Sequence, residues 1–71
     1  MFIIIEIQKD ANGNVATLIT QQSNRDQADS TYHSILASAA ISSLPEHGAV
    51  MLTSDCGFVM GQCYRHGAIE E

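Results

Sequence analysis

Apolar residues cluster in four short runs and recur at helical spacing in one longer run. Phe2–Gln8 reads FIIIEIQ, dense in β-branched residues, and predicts a strand. Ile3, Ile5 and Ile7 share one face; Phe2, Ile4, Glu6 and Gln8 share the other. Val15–Gln21 (VATLITQ) predicts a second strand, joined to the first through Asn12-Gly13, a hairpin signal because both residues tolerate positive φ. With Asn12 and Gly13 as central turn residues, Ile7 faces Leu18 and Ile5 faces Thr20. A loop one residue longer exchanges Leu18 and Ile19 between faces. Either way this hairpin is apolar on both sides.

The stretch Ser23–Ser43 carries the 3.6-residue period. Ala28, Tyr32, Ile35, Leu36 and Ala39 form one stripe, which should lie on the sheet. Ser23 is the expected N-cap, with Asp26 in the first turn where a negative charge suits the dipole. Pro45 stops the helix by disfavouring helical backbone at Leu44. His47–Ser54 (HGAVMLTS) and Phe58–Tyr64 (FVMGQCY) predict strands three and four, joined by Ser54-Asp55-Cys56-Gly57 with Gly57 at the left-handed position. If Ser54 faces Phe58, Leu52 faces Met60 and Gly48 faces Tyr64.

The order is therefore ββαββ, an α+β fold. Alternating strand directions give a four-stranded antiparallel sheet in the order 2-1-3-4, with one helix packed on one face. Residues 1–66 form this single domain and 67–71 a frayed tail. One helix covers one sheet face only. The expected remainder is an apolar patch drawn from Phe2, Ile4, Ile19 and the Met51 or Leu52 set, which calls for a partner.

Composition sharpens that expectation. Charged residues make up 15% of the 71 positions, below the usual ~25%. A chain this short buries roughly 60–65% of its unfolded surface, so assembly is a natural source of added stability. The outer helix face (Ser30, Ser34, Ala37, Ser38 and Ile41) carries no charge, so Ser34, Ala37 and Ile41 join Phe2, Ile4 and Ile19 as the expected interaction surface. A homodimer or a larger assembly is expected. Net charge is −5 with three scattered cations (Lys9, Arg25, Arg65), which excludes counterion-releasing nucleic-acid binding and attraction to an anionic membrane. The start MFIIIEIQ lacks a basic region before its apolar run, and no run is long enough to span a bilayer. A cytoplasmic protein is expected.

The residues able to carry chemistry are His33, His47, His66, Cys56 and Cys63. Cys63-x2-His66 is the best local metal pair, with His47 brought near if Gly48 faces Tyr64. Cys56 and Cys63 stand about 20 Å apart along a regular strand, which excludes one shared metal or a disulfide between them. His47, Cys63 and His66 remain the candidate ligand set, while no metal or cofactor is expected. Tyr32 belongs to the buried stripe with its hydroxyl at the edge; His33 lies on the helix flank. Neither a phosphate-binding glycine loop nor a paired-carboxylate, HExxH or GxSxG motif is present.

In layout, ββα followed by further strands resembles the HicB-type antitoxins, although QQSNRDQ stands where those chains carry Pro-Asp and Gly-Cys. Over most of its length the chain is more similar to short uncharacterised proteins encoded among bacterial phage and prophage genes. The matching positions are Tyr32, His33, Leu36, Ala37, Ala39, Ala40, His47, Met51 and Leu52. That resemblance implies a phage origin and no particular chemistry. The leading expectation is a non-enzymatic interaction or assembly protein. Its rivals are an acidic, antitoxin-like regulator of a basic partner and a small ligand-binding or enzymatic module using His and Cys at an oligomer interface.

Overall fold

The structure, a computed structural model, describes residues 1–66; the predicted tail at 67–71 lies outside them. Four strands and one helix follow the chain as β1 (Phe2–Lys9), β2 (Val15–Gln22), α1 (Arg25–Ala40), β3 (Glu46–Thr53) and β4 (Phe58–Arg65). The sheet is antiparallel throughout, in the order β2-β1-β3-β4. This is the expected ββαββ architecture.

Both hairpins turn in the same way. In the first, the Asp10 N–H donates to Asn14 O at 3.0 Å and the Gly13 N–H to Asp10 O at 3.1 Å. In the second, the Thr53 N–H donates to Gly57 O at 2.7 Å and the Cys56 N–H to Thr53 O at 3.1 Å. Each is a tight turn followed by one residue in left-handed backbone, the geometry of a turn with a bulge. That residue is Gly13 (φ 88°) in one and Cys56 (φ 73°) in the other. Gly57, expected to hold the left-handed position, sits one residue later. It is needed there for space, since a Cβ would lie 2.7 Å from Thr53 Oγ1.

This turn chemistry moves the first register by one residue, and the second by two next to the turn and by one beyond the bulge. Asp10 accepts from the backbone N–H of Asn12 and of Asn14, both at 2.9 Å, and so holds a loop longer than two residues. Ile5 therefore faces Ile19, and Ile7 faces Thr17. In the second hairpin Met51 faces Met60 and Leu52 faces Phe58, with Val59 taken up in a bulge. Gly48 faces Cys63, not Tyr64, and a side chain there would collide with the Gln62 carbonyl.

The helix begins one residue later than expected. Asn24, not Ser23, is the N-cap; its Oδ1 accepts from the Asp26 N–H at 2.7 Å and the Gln27 N–H at 3.3 Å. The predicted stripe is the buried one: Ala28, Tyr32 and Ala39 are buried, and Ile35 and Leu36 pack beside them. The helix crosses the sheet from the Phe2 end, where Arg25 stacks over the Phe2 ring at 5.7 Å, to the other end, where the His66 ring meets Ala39 O at 2.7 Å.

The face under the helix is the opposite of the one expected. Ile4 and Met51, paired across β1 and β3, are fully buried there beneath Ala28 and Tyr32, with Phe2, Val59 and Met60 packed around them. Phe2 and Ile4 are therefore core residues and leave the predicted interaction surface. The physical reason lies in what each face brings with it. Met51, Ala49 and Met60 share the Phe2–Ile4 face, and on that face Glu6 meets His47. The Ile3–Ile5–Ile7 face is left for the outside.

Candidate interaction surface

Strand registers place sixteen residues on the face away from the helix, in four rows of four running β2, β1, β3, β4. The first row is Gln21, Ile3, Leu52 and Phe58; the second is Ile19, Ile5, Val50 and Gly61. The third row is Thr17, Ile7, Gly48 and Cys63; the last is Val15, Lys9, Glu46 and Arg65. All three charges on the face stand in that last row, where Lys9 Nζ and Glu46 Oε2 lie 3.9 Å apart.

The first three rows hold seven large apolar side chains and no charge. Among the described residues nothing lies over them. Ile19 is 60% exposed and Phe58 68%, while Ile3, Ile5, Val50 and Leu52 cover one another in part. Contiguous exposed apolar surface of this kind marks an interaction site on a small protein. The relief is uneven. Leu52 and Phe58 are the large residues of the first row on β3 and β4, and a hollow of about 310 Å³ extends from the Phe58 ring, which lies beside Gly61, to Ile7, Gly48 and Cys63. Of the sequence-predicted surface residues, only Ile19 lies here. Ser34, Ala37 and Ile41 are exposed on the other side of the molecule, with Ile41, the C-cap residue, 88% exposed. The isoleucine triplet was legible in the sequence as an alternating run, but nothing local to β1 said which face the helix would take.

The candidate ligand set does not assemble. His47 faces Tyr64 on the helix side of the sheet, while Cys63 faces Gly48 on the other side. His66 stands at the sheet end with its ring on the helix C-terminus, meeting a carbonyl that the helix leaves without an internal donor. No group of three potential metal ligands converges among the described residues. Cys56 and Cys63 are both free and exposed, at opposite ends of β4. His33 is exposed and edge-on to the Tyr32 ring, with centroids 5.4 Å apart.

The sequence missed one polar feature. His47 Nε2 and Glu6 Oε2 lie 2.6 Å apart, and the Gln8 amide donates to the same oxygen at 2.9 Å. The hydrogen bond from His47 holds the Glu6 carboxyl below its ordinary range, against the opposing effect of burial. Nδ1 of His47 is buried and meets no partner among the described residues. His47 is 5% exposed, and the pair ties β1 to β3 on the helix side of the sheet. Burial, with Tyr64 nearby, likewise pushes the Tyr32 hydroxyl up from its ordinary range.

The fold and this surface define a small α+β protein with one covered and one uncovered sheet face. Comparison with known protein families, with curated proteins and with solved structures finds no match. No helix among the described residues is long and apolar enough to cross a membrane.

Proposed function

We propose that this chain is a non-enzymatic interaction module whose working surface is the uncovered sheet face. The observation that carries the reading is the block of Ile3, Ile5, Ile7, Ile19, Val50, Leu52 and Phe58, uninterrupted by charge and outside the core. A chain of this size needs its apolar residues for its own core. Placing seven of the largest on the outer face makes sense only if another surface covers them. A phage or prophage origin, as the sequence resemblance implies, would suit an accessory or assembly role. Two free, exposed cysteines suit a reducing compartment and hence a cytoplasmic site of action.

The test is position-resolved cross-linking in the cells that make the protein. A photo-reactive residue at Ile19 is expected to give protein adducts in high yield, and the same residue at His33 is not. Equal yields at the two positions would overturn the reading.

A further inference from the structure

Resting on that reading, we infer that the partner of the open face is a second copy of the same chain, stacked sheet to sheet and turned end for end. The face is complementary to itself in that orientation. Leu52 and Phe58 are the large residues of its first row on β3 and β4; Gly48 and Cys63 are the small residues of its third row on the same two strands. A two-fold axis running across the strands at the second row sets the first row of one copy over the third row of the other. Leu52 then lies over Gly48 and Phe58 over Cys63, beside the hollow that the second copy's own Phe58 bounds, and Ile3 lies over Ile7 of the second copy. The second row meets itself, Ile5 on Ile5 and Ile19 on Ile19.

Charge placement points the same way. Lys9, Glu46 and Arg65 fill only the last row, so the turn carries them to two opposite rims, where they stay in water. A two-fold axis along the strands, through the middle of the sheet, would instead stack the two charged rows, Lys9 over Glu46 and Val15 over Arg65, and take those charges out of water. The end-for-end turn keeps the strands of the two sheets near alignment, the usual arrangement of stacked sheets about 10 Å apart. The area suits a weak contact. The three overlapping rows, six residues long on four strands, project to roughly 400 Å² per copy, so the pair buries on the order of 800 Å², the range of weak and transient interfaces. A reversible dimer is therefore expected.

Three single-cysteine variants test this: Ile5→Cys, Ile19→Cys and Ile3→Cys, each with Cys56 and Cys63 replaced by serine. A thiol-to-thiol cross-linker about as long as the spacing between stacked sheets joins cysteines that lie opposite one another, whereas rows one and three are about 13 Å apart along a strand. Treatment with it should give covalent dimer from Ile5→Cys and Ile19→Cys, roughly ten-fold more than from Ile3→Cys. Sedimentation of the unmodified chain should show a dimer. Covalent dimer from Ile3→Cys matching or exceeding that from Ile5→Cys overturns the end-for-end arrangement. A strict monomer at millimolar concentration overturns the second-copy inference, as would photo-adducts at Ile19 that hold only a different protein. The latter result would leave the interaction reading intact, whereas absence of any adduct at Ile19 removes both. Should Ile5→Cys lose its circular dichroism spectrum, Ile19→Cys on the edge strand carries the comparison with Ile3→Cys.

Discussion

Cys56 is the residue at which the two hairpins part company. Both turns demand left-handed backbone at their fourth position; one supplies Gly13 and the other Cys56. A side chain there costs about 1–2 kcal/mol, because Cβ crowds the following carbonyl. Cys56→Gly is therefore expected to stabilise the fold by about 1 kcal/mol, less what glycine adds to the unfolded chain's freedom. Gly13→Ala should do the reverse by a similar amount, since nothing lies within 4 Å of its added Cβ and the cost is conformational alone. Urea midpoints of the two variants check both. Glu6 offers a pH test. Its folded pKa lies below the ordinary carboxyl value of 4.5, so the ionised carboxylate stabilises the fold at pH above that value. The contribution is lost as pH falls through the lower folded value. Wild type is expected to exceed Glu6→Gln in urea midpoint near neutrality, with the gap closing below about pH 4.5 and no further gain above about pH 6. A gap constant from pH 7 to pH 3 would contradict the assignment.

At the scale of elements, every strand and the helix were readable from the sequence, because each carries a full period of its own pattern. What was not readable was set by single polar side chains in the turns. Asp10 collects three donors from Asn12 and Asn14, and that alone converts an apparent two-residue Asn-Gly turn into a longer loop. Thr53 does the same for the second hairpin through the Gly57 N–H, at 2.9 Å from its hydroxyl. One residue of slip then exchanges faces, so the site inherits every error in the turns. It is why His47 and Cys63, grouped by sequence, stand on opposite sides of the sheet. The choice of face is a further long-range matter: Ile3, Ile5 and Ile7 look the better core, but the Phe2–Ile4 face is the one matched by Met51, Ala49 and Met60. The helix start is a smaller case. Ser23 and Asn24 are both good caps, and only the geometry selects Asn24. Asn24→Ala should cost about 1 kcal/mol in stability, while Ser23→Ala should change it little, as measured by thermal unfolding of both variants.

The whole molecule presents two surfaces poor in charge, and they are not equivalent. Ile41 stands alone at the helix end among small and polar neighbours, and a single exposed apolar side chain is ordinary. Ile19 belongs to a continuous apolar block. Ile41→Glu should therefore leave the dimerisation constant unchanged, whereas Ile19→Glu should weaken it by at least about 1.4 kcal/mol, a factor of ten. The forces involved can be separated further. Each copy carries a net charge of −5, so two copies repel at a distance, and no charge of the open face lies within the stacked rows. Salt shortens the screening length from about 30 Å at 10 mM to about 10 Å at 0.1 M, which weakens that repulsion without touching the apolar contact. Dimerisation should then tighten as salt rises. It should also loosen on cooling, because burial of apolar surface is driven by entropy near room temperature and fades in the cold. Sedimentation equilibrium at two salt concentrations and two temperatures measures both trends. An interface built on ion pairs between Lys9, Arg65 and Glu46 of opposing copies would instead loosen as salt rises, so the sign of the salt dependence alone decides whether the charged row lies inside the dimer or at its rim.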